Sequence, residues 1–519
     1  MSNPSERLPP PHKNDLADAE MWVDEQIWGH RLWDAQSPWL LFLEFLNVAE
    51  ACEHEGRLLV DVGEGNSLRY MPHQRLYLRN ILFNNETIFR IADRYADDAS
   101  AWRDWLKSME DVARAVPKRD FSYIQQRFRS FREFASLIRM LRNSVVESDS
   151  NRRWTSRFVF PFGRNALYED LNILPSGNAQ RDYVNFGRTG ELLYMMLSRS
   201  TFATRLQSHL SAMLAGKNPW NSLVALFEPD DYHEDRKHRS HSYLPYRRHQ
   251  AFDVLAEDWV RILELGLPGF DAYPYLVTLG ALHVVLYQLH VASAYQPIIQ
   301  KPHFICEIVA PRKTLVRELS SANFQKNDRL TQEAVDRFIR TIAESDAWKQ
   351  ASTGSNAFGE CKRLLEEKIY WPDDPGDYDG PSDPDVLLAE LRRRAIQRHR
   401  QHAGNVHRNY GRELGLVSKR GTNKLRYAPT DALLKALVLA NVPRRIEFTE
   451  FLANLRERYG FIFDDRAAEL VLPADECDKK AFRANAQRLE QRLASLGLLR
   501  RLSDACAYVQ NPFFPRALA

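Results

Sequence analysis

Cysteine is scarce: the 519-residue chain holds five, Cys52, Cys306, Cys361, Cys477 and Cys506, and no two form a CxxC pair. That excludes a zinc ribbon and a disulfide framework, and it fits a reducing, cytoplasmic setting. Walker A, kinase, GxSxG and HExxH motifs are missing too. Neither an ATP-driven motor nor a standard hydrolase is therefore expected, and no cofactor or metal is. The first residues, MSNPSERLPPPHKND, carry neither an apolar core nor an Arg-rich amphipathic pattern, so no signal or transit peptide is expected. The longest apolar stretch, 272–295, is interrupted by Pro274, Gly280, His283, Gln288 and His290. A lone membrane span would not readily accept these. The stretch is expected to be a buried helix pair in a soluble protein without membrane contact. No repeat of fixed period is present.

What is present suffices to build cores. Hydrophobic residues make up 44% and aromatics 11%, with charged residues at 27%. Bulk disorder is excluded, and the length predicts about two to four domains. Ser37-Pro38 predicts a helix start, with the serine capping and the proline at the first helical position. The run Trp39, Leu40, Phe42, Leu43, Phe45, Leu46 behind it is apolar nearly all round, which predicts deep burial. The spacing of Phe121, Ile124, Phe128, Phe131, Ala135 and Ile138 predicts one helix over 121–142. Residues 57–62 and 300–315 read as short strands. Thr189 opens a helix through Leu197, and further helices are expected near 251–265, 331–348 and 359–370. Segment 371–384, WPDDPGDYDGPSDP, holds four prolines and five aspartates and reads as a linker. The expected organisation is a disordered leader (1–15), an N-terminal helical region (16–150) and a second, mainly helical region with short strands (151–370). An acidic linker (371–385), a basic helix and hairpin (386–429) and a last domain (430–519) follow.

In that last domain Thr430 caps a helix, 447–459 forms another stopped at Gly460, and 464–470 a short one. Residues 478–496 form a long amphipathic helix ending at Gly497, and 498–509 two strands. The spacing Phe482-x-x-Asn485-x-x-x-Leu489-x-x-x-Leu493, then LGLLRRLSD and ACAYVQNPF, resembles a winged helix-turn-helix domain. The expected fold class is thus mainly α: a large multi-helical body with a few short strands and a C-terminal winged helix-turn-helix-like domain. The resemblance implies a helix that enters a DNA major groove and a wing that touches phosphates.

Charge layout points the same way. The formal net charge is +3, yet residues 391–427 hold eleven Lys/Arg against Glu413 alone, for +10. They are Arg392, Arg393, Arg394, Arg398, Arg400, Arg408, Arg412, Lys419, Arg420, Lys424 and Arg426. With Arg488, Arg492, Arg500 and Arg501 of the last domain they form the candidate nucleic-acid-binding set, since a dense basic block is the footprint of phosphate binding.

Other clusters are weighed against plainer readings. The loop DYHEDRKHRSHSYLPYRRH (231–249) offers His233, Glu234, Asp235, His238, His241 and His249 as ligands, but it matches no metal spacing and is dense in arginine, so a basic loop is expected. His283, Tyr287 and His290 share one helical face and read as buried, satisfied side chains. Segment 152–200 crowds Arg157, Arg164, Arg181, Asp182, Arg188 and Glu191 among four glycines, and is read as bracing or partner docking. Asp61, Gly63 and Gly65 match part of an S-adenosylmethionine-site pattern, but the strand–helix alternation that fold needs is absent. Glu366-Glu367-Lys368 and Asp230 are nuclease-type residues about 135 positions apart. A nuclease with an atypical site in 152–249 is the alternative reading, and a pure protein–protein scaffold a third.

The phrases WGHRLWDAQSPWLLFLEFLNV and DYVNFGRTGELLYMMLSRS, together with the winged tail, resemble uncharacterised proteins of bacterial anti-phage defence islands. There a subunit without motor or catalysis accompanies a helicase or nuclease made by neighbouring genes. The resemblance implies a non-catalytic, DNA-associated subunit of a multi-protein defence or DNA-processing complex. Its partners would be DNA and such subunits, and no site residue is carried over from it.

Overall fold

The computed structural model describes all residues except 1–6, 13–20, 62–66, 144–162, 168, 170, 175, 177–178, 182–186, 216–218, 231, 233–241, 299–300, 312–313, 373–375, 420–423, 504–505 and 514–519. Helices dominate, and the strands are short. Helix α1 (Val23–Trp28) precedes α2 (Pro38–His54). Ser37 Oγ accepts from Leu40 N at 3.3 Å and Pro38 sits in the first turn, as the sequence predicts. Apolar on nearly every side, α2 is buried along most of its length.

Its principal neighbour is α3 (Thr189–Ser198), buried throughout. Gly190 lets the two backbones touch, because a Cβ there would lie 2.6 Å from Leu41 O. Glu44, fully buried on α2, accepts from Arg188 N at 3.0 Å and Gly190 N at 2.7 Å. A carboxylate thus meets the unpaired N–H groups and positive dipole end at the start of α3. Gly190→Ala is expected to cost about 1–3 kcal/mol in chemical denaturation, through overpacking against α2. An unchanged denaturation midpoint would contradict this contact.

Two more helices, α4 (Gln250–Glu264) and α5 (Tyr273–Ala294), pack onto this pair. Stretch 272–295 is one continuous helix rather than a pair: Pro274 lies in its first turn, where a missing N–H is harmless. Among the described residues α5 alone is long and apolar enough to cross a membrane, and 89% of its apolar window is buried inside the protein. It is a core helix. Among the described residues, strand β1 (Phe304–Ile305) is all that forms of the strand expected over 300–315.

Helix α6 (Leu315–Glu344) starts well before the expected position, with Thr314 Oγ1 accepting from Arg317 N at 3.3 Å. Its early half escapes an apolar-periodicity reading because its buried face carries Ser320, Ser321, Asn323, Asn327 and Thr331. Ser345 then caps a separate helix, Asp346–Thr353. Two other expectations change. The helix over 121–142 is two, Ser122–Arg127 and Phe131–Asn143: Phe128 is extended, and Ser130 Oγ accepts from Glu133 N at 3.2 Å to cap the second. No strand forms at 57–61, where Leu59 has φ 52° and donates its N–H to Tyr194 Oη at 2.8 Å.

The C-terminal part begins with α7 (Pro384–Gln401), α8 (Ala403–Glu413) and a hairpin of β2 (Val417–Ser418) and β3 (Arg426–Tyr427). It continues through α9 (Asp431–Asn441), β4 (Arg445–Glu447), α10 (Phe448–Tyr459) and β5 (Phe461–Ile462). After a short helix, Asp465–Glu469, come α11 (Lys479–Ser495), β6 (Leu499–Arg501) and β7 (Ala507–Gln510). Strand β4, which the sequence pattern does not reveal, pairs antiparallel with β7, and β7 with β6, giving the order β6–β7–β4. Strand β5 lies parallel to β1. One apolar cluster runs from Trp22 to Val509. Trp371, at the head of the Pro/Asp-rich segment, is buried edge-on against Trp22 at 5.9 Å. The elements on either side of that segment share this core.

Candidate nucleic-acid interface

The basic C-terminal region is fastened to the body by buried polar groups. Arg426, 2% exposed, forms an ion pair with the fully buried Glu307. Arg426 therefore leaves the candidate surface set, because β3 is covered by the chain after β1 and by α6. Next to it, Tyr427 donates its N–H to Ser320 Oγ at 2.9 Å, and its carbonyl accepts from Glu307 N at 2.9 Å. The Tyr427 hydroxyl meets Asn327 Nδ2 at 3.0 Å and His407 Nε2 at 2.9 Å. On α11, Asn485 Nδ2 donates to Cys306 O and Phe463 O, while its Oδ1 accepts from Ile308 N at 2.8 Å. A further buried junction joins α4 and α5 to α10: Asp258 Oδ2 meets His283 Nε2 at 2.7 Å and accepts from Tyr459 Oη at 2.8 Å. His283 is thus an interior histidine paired through Nε2, as its helical face suggests, while its Nδ1 is buried with no hydrogen-bond partner among the described residues.

Most of the basic block is already engaged. Arg392 pairs with Asp336 at 2.8 Å, Arg393 and Arg394 with Glu390 at 2.6 and 2.7 Å, Arg398 with Glu25 at 3.0 Å and Arg408 with Asp328 at 2.9 Å. Hydrogen bonds from Arg393 and then Arg394 pull the Glu390 carboxyl down to about 2. Burial alone would raise Asp328, but His407 and Arg408 outweigh it and hold it below the ordinary range. Arg400 donates to Gln332 Oε1 at 2.9 Å. Arg488 donates to Ile308 O at 3.3 Å, Arg492 to Asp431 Oδ1 at 2.5 Å, and Arg501 lies 3.7 Å from Glu490. Arg392, Arg398, Arg400, Arg408, Arg488 and Arg492 tie α7, α8 and α11 to other parts of the chain. Arg393 and Arg394 pair within α7, and many of these arginines stay open to solvent. Lys424 is exposed, and Arg420 lies outside the described residues.

Three members of the set remain. Arg412, Lys419 and Arg500 are exposed and form no ion pair among the described residues. Arg412 and Lys419, with Asn409, Glu413, Val417 and Ser418, line one surface cleft of about 510 Å³ between the end of α8 and β2. Arg500 stands on β6. The solvent face of α11 adds Lys480, Gln487 and Gln491, opposite the buried Phe482, Asn485, Leu489 and Leu493. Lys480, Gln487 and Gln491 fall outside the dense basic block, although their spacing from Leu489 puts them on the other face of the helix.

The remaining candidate clusters lead elsewhere. Most of the 231–249 loop, including His233, Glu234, Asp235, His238 and His241, lies outside the described residues, as do the glycines at 63 and 65. His249 Nδ1 accepts from Ala251 N at 3.1 Å, and burial lowers its pKa to about 4. Among the described residues no group of three or more His, Cys, Asp or Glu could hold a metal ion. Of segment 152–200, Arg164 pairs with Glu50 at 3.0 Å, and the buried Glu191 accepts from Tyr70 Oη at 2.9 Å. These contacts brace. Asp230 pairs with Arg127 at 2.7 Å.

Residues 386–513 match the family model described as methylation-associated defense system protein MAD7. The matched segment runs from α7 to just past β7 and contains every residue of the candidate set. The C-terminal part of the chain is therefore similar to a component of a defence system, which supports the resemblance to anti-phage defence-island subunits. No curated protein and no solved structure matches the chain.

Proposed function

We propose that the chain is a non-catalytic, DNA-associated subunit of a multi-protein defence complex. In this reading the C-terminal unit engages DNA and the helical body docks other subunits. The observation that carries it is the trio Arg412, Lys419 and Arg500, exposed cations inside the matched segment that form no ion pair among the described residues. A side chain with no internal partner can neutralise a phosphate without first giving up a carboxylate.

Element order supports the mode of contact. The succession α9, β4, α10, β5, the short helix Asp465–Glu469, α11, β6, β7 with the sheet order β6–β7–β4 resembles that of a winged helix with β5 and the short helix as insertions. Helix α11 would then take the place of the groove-reading helix. Gln487 and Gln491 on its open face are suited to base edges, and Arg500 to phosphate beside the wing. The purified chain is expected to bind duplex DNA and to weaken roughly 40-fold between 50 and 200 mM salt, the factor for three phosphate contacts. Fluorescence anisotropy with a labelled duplex checks this. Absence of binding at either salt overturns the reading.

A further inference from the structure

Outside the matched segment, between the end of α5 and the middle of α6, lies a groove of about 530 Å³. Lys301, Lys326 and Arg329 line it, with Glu333 as the one carboxylate among the described lining residues. Lys326 and Arg329 are exposed and form no ion pair among the described residues. Lys301 donates to the Glu457 carbonyl at 2.6 Å, which leaves two of its three ammonium protons for a ligand. Burial, and then the neighbouring Lys326, lower the pKa of His303, so this histidine brings a neutral imidazole to the wall.

That wall is held firmly. Asn327 Nδ2 donates both to His303 O at 2.9 Å and to Tyr427 Oη at 3.0 Å, and Phe304 N donates to Gly460 O at 2.9 Å. Three positive charges against one negative charge in a concave site concentrate a field that draws in anions. Gln296 and Gln325 add amide groups, and Ile298, 74% exposed, adds an apolar rim. Cations from two elements beside amides and an apolar edge suit a phosphate carrying an organic group better than a bare carboxylate.

We propose that this groove binds a phosphate ester, supplied either by a free nucleotide or by a nucleic-acid strand. It does not depend on the C-terminal reading, because none of its lining residues lies in 386–513. The test compares the full chain with the Lys326→Ala/Arg329→Ala variant, both sites being exposed, after matching thermal melts confirm folding. ATP and a short single-stranded oligonucleotide are titrated separately. If ATP binds and the variant weakens it at least about tenfold, the source is a free nucleotide. If only the oligonucleotide binds, the variant should weaken it similarly and lower its salt slope by about 1.4, at 0.7 per lost contact. The proposal is overturned if neither probe binds the unmodified chain, or if the variant binds both as tightly. Variants at Arg412, Lys419 and Arg500 test the C-terminal reading separately, so failure of one leaves the other standing.

Discussion

Replacing Arg426 with alanine is expected to destabilise the protein by about 3–5 kcal/mol, the cost of leaving a buried carboxylate without its partner. The partner left behind is Glu307, fully buried and followed in the chain by the Ile308 N–H that Asn485 holds. Loss of the guanidinium would loosen β3, and with it Tyr427, whose backbone and hydroxyl bind Ser320, Asn327 and His407. Changing both partners, Arg426→Met with Glu307→Gln, should recover a large part of the loss, because no uncompensated charge then stays inside. Chemical denaturation of the single and double variants checks this. A loss below about 1 kcal/mol for Arg426→Ala would mean that the pair does not fasten the C-terminal part to the body. The result also bears on DNA-binding experiments: a charge-neutralising set that includes Arg426 would confuse misfolding with lost contacts.

The limits of the sequence follow from the range of the forces involved. Caps were legible because they act within one turn. Ser37 and Thr430 accept the N–H groups their positions predict, and Gly460 and Gly497 take positive φ at helix ends. Amphipathic α11 was legible for a similar reason, its buried Phe482, Asn485, Leu489 and Leu493 matching the expected spacing. The early half of α6 was not, since its inward residues are serines and asparagines that clamp strand backbones. Nor was the fate of the basic block. Counting charges in a window sees only neighbours, whereas Arg392 meets Asp336, Arg398 meets Glu25 and Arg426 meets Glu307 across long stretches of chain. The +10 window is real as composition, but much of it is answered by acids from the body. Only the folded arrangement separates fastening arginines from available ones.

That separation yields the second large effect. Neutralising Arg412, Lys419 and Arg500 together (Arg412→Gln, Lys419→Gln, Arg500→Gln) should weaken duplex binding roughly 500-fold at 0.1 M salt, if each contacts one phosphate and 1 M salt is the reference. The side chains are exposed and form no ion pair among the described residues, so stability should change by less than about 0.5 kcal/mol. Neutralising Arg392, Arg393 and Arg394 removes the same charge but should matter much less, because Asp336 and Glu390 already hold these guanidiniums. The deciding measurement is the dependence of log affinity on log salt for the unmodified chain and the two triple variants. The slope should fall by about 2.7 for the Arg412, Lys419 and Arg500 variant, and by less than about 1 for the other. Equal slopes for the unmodified chain and the first variant, or a larger fall in the second, would contradict the assignment of DNA contact to the unpaired cations.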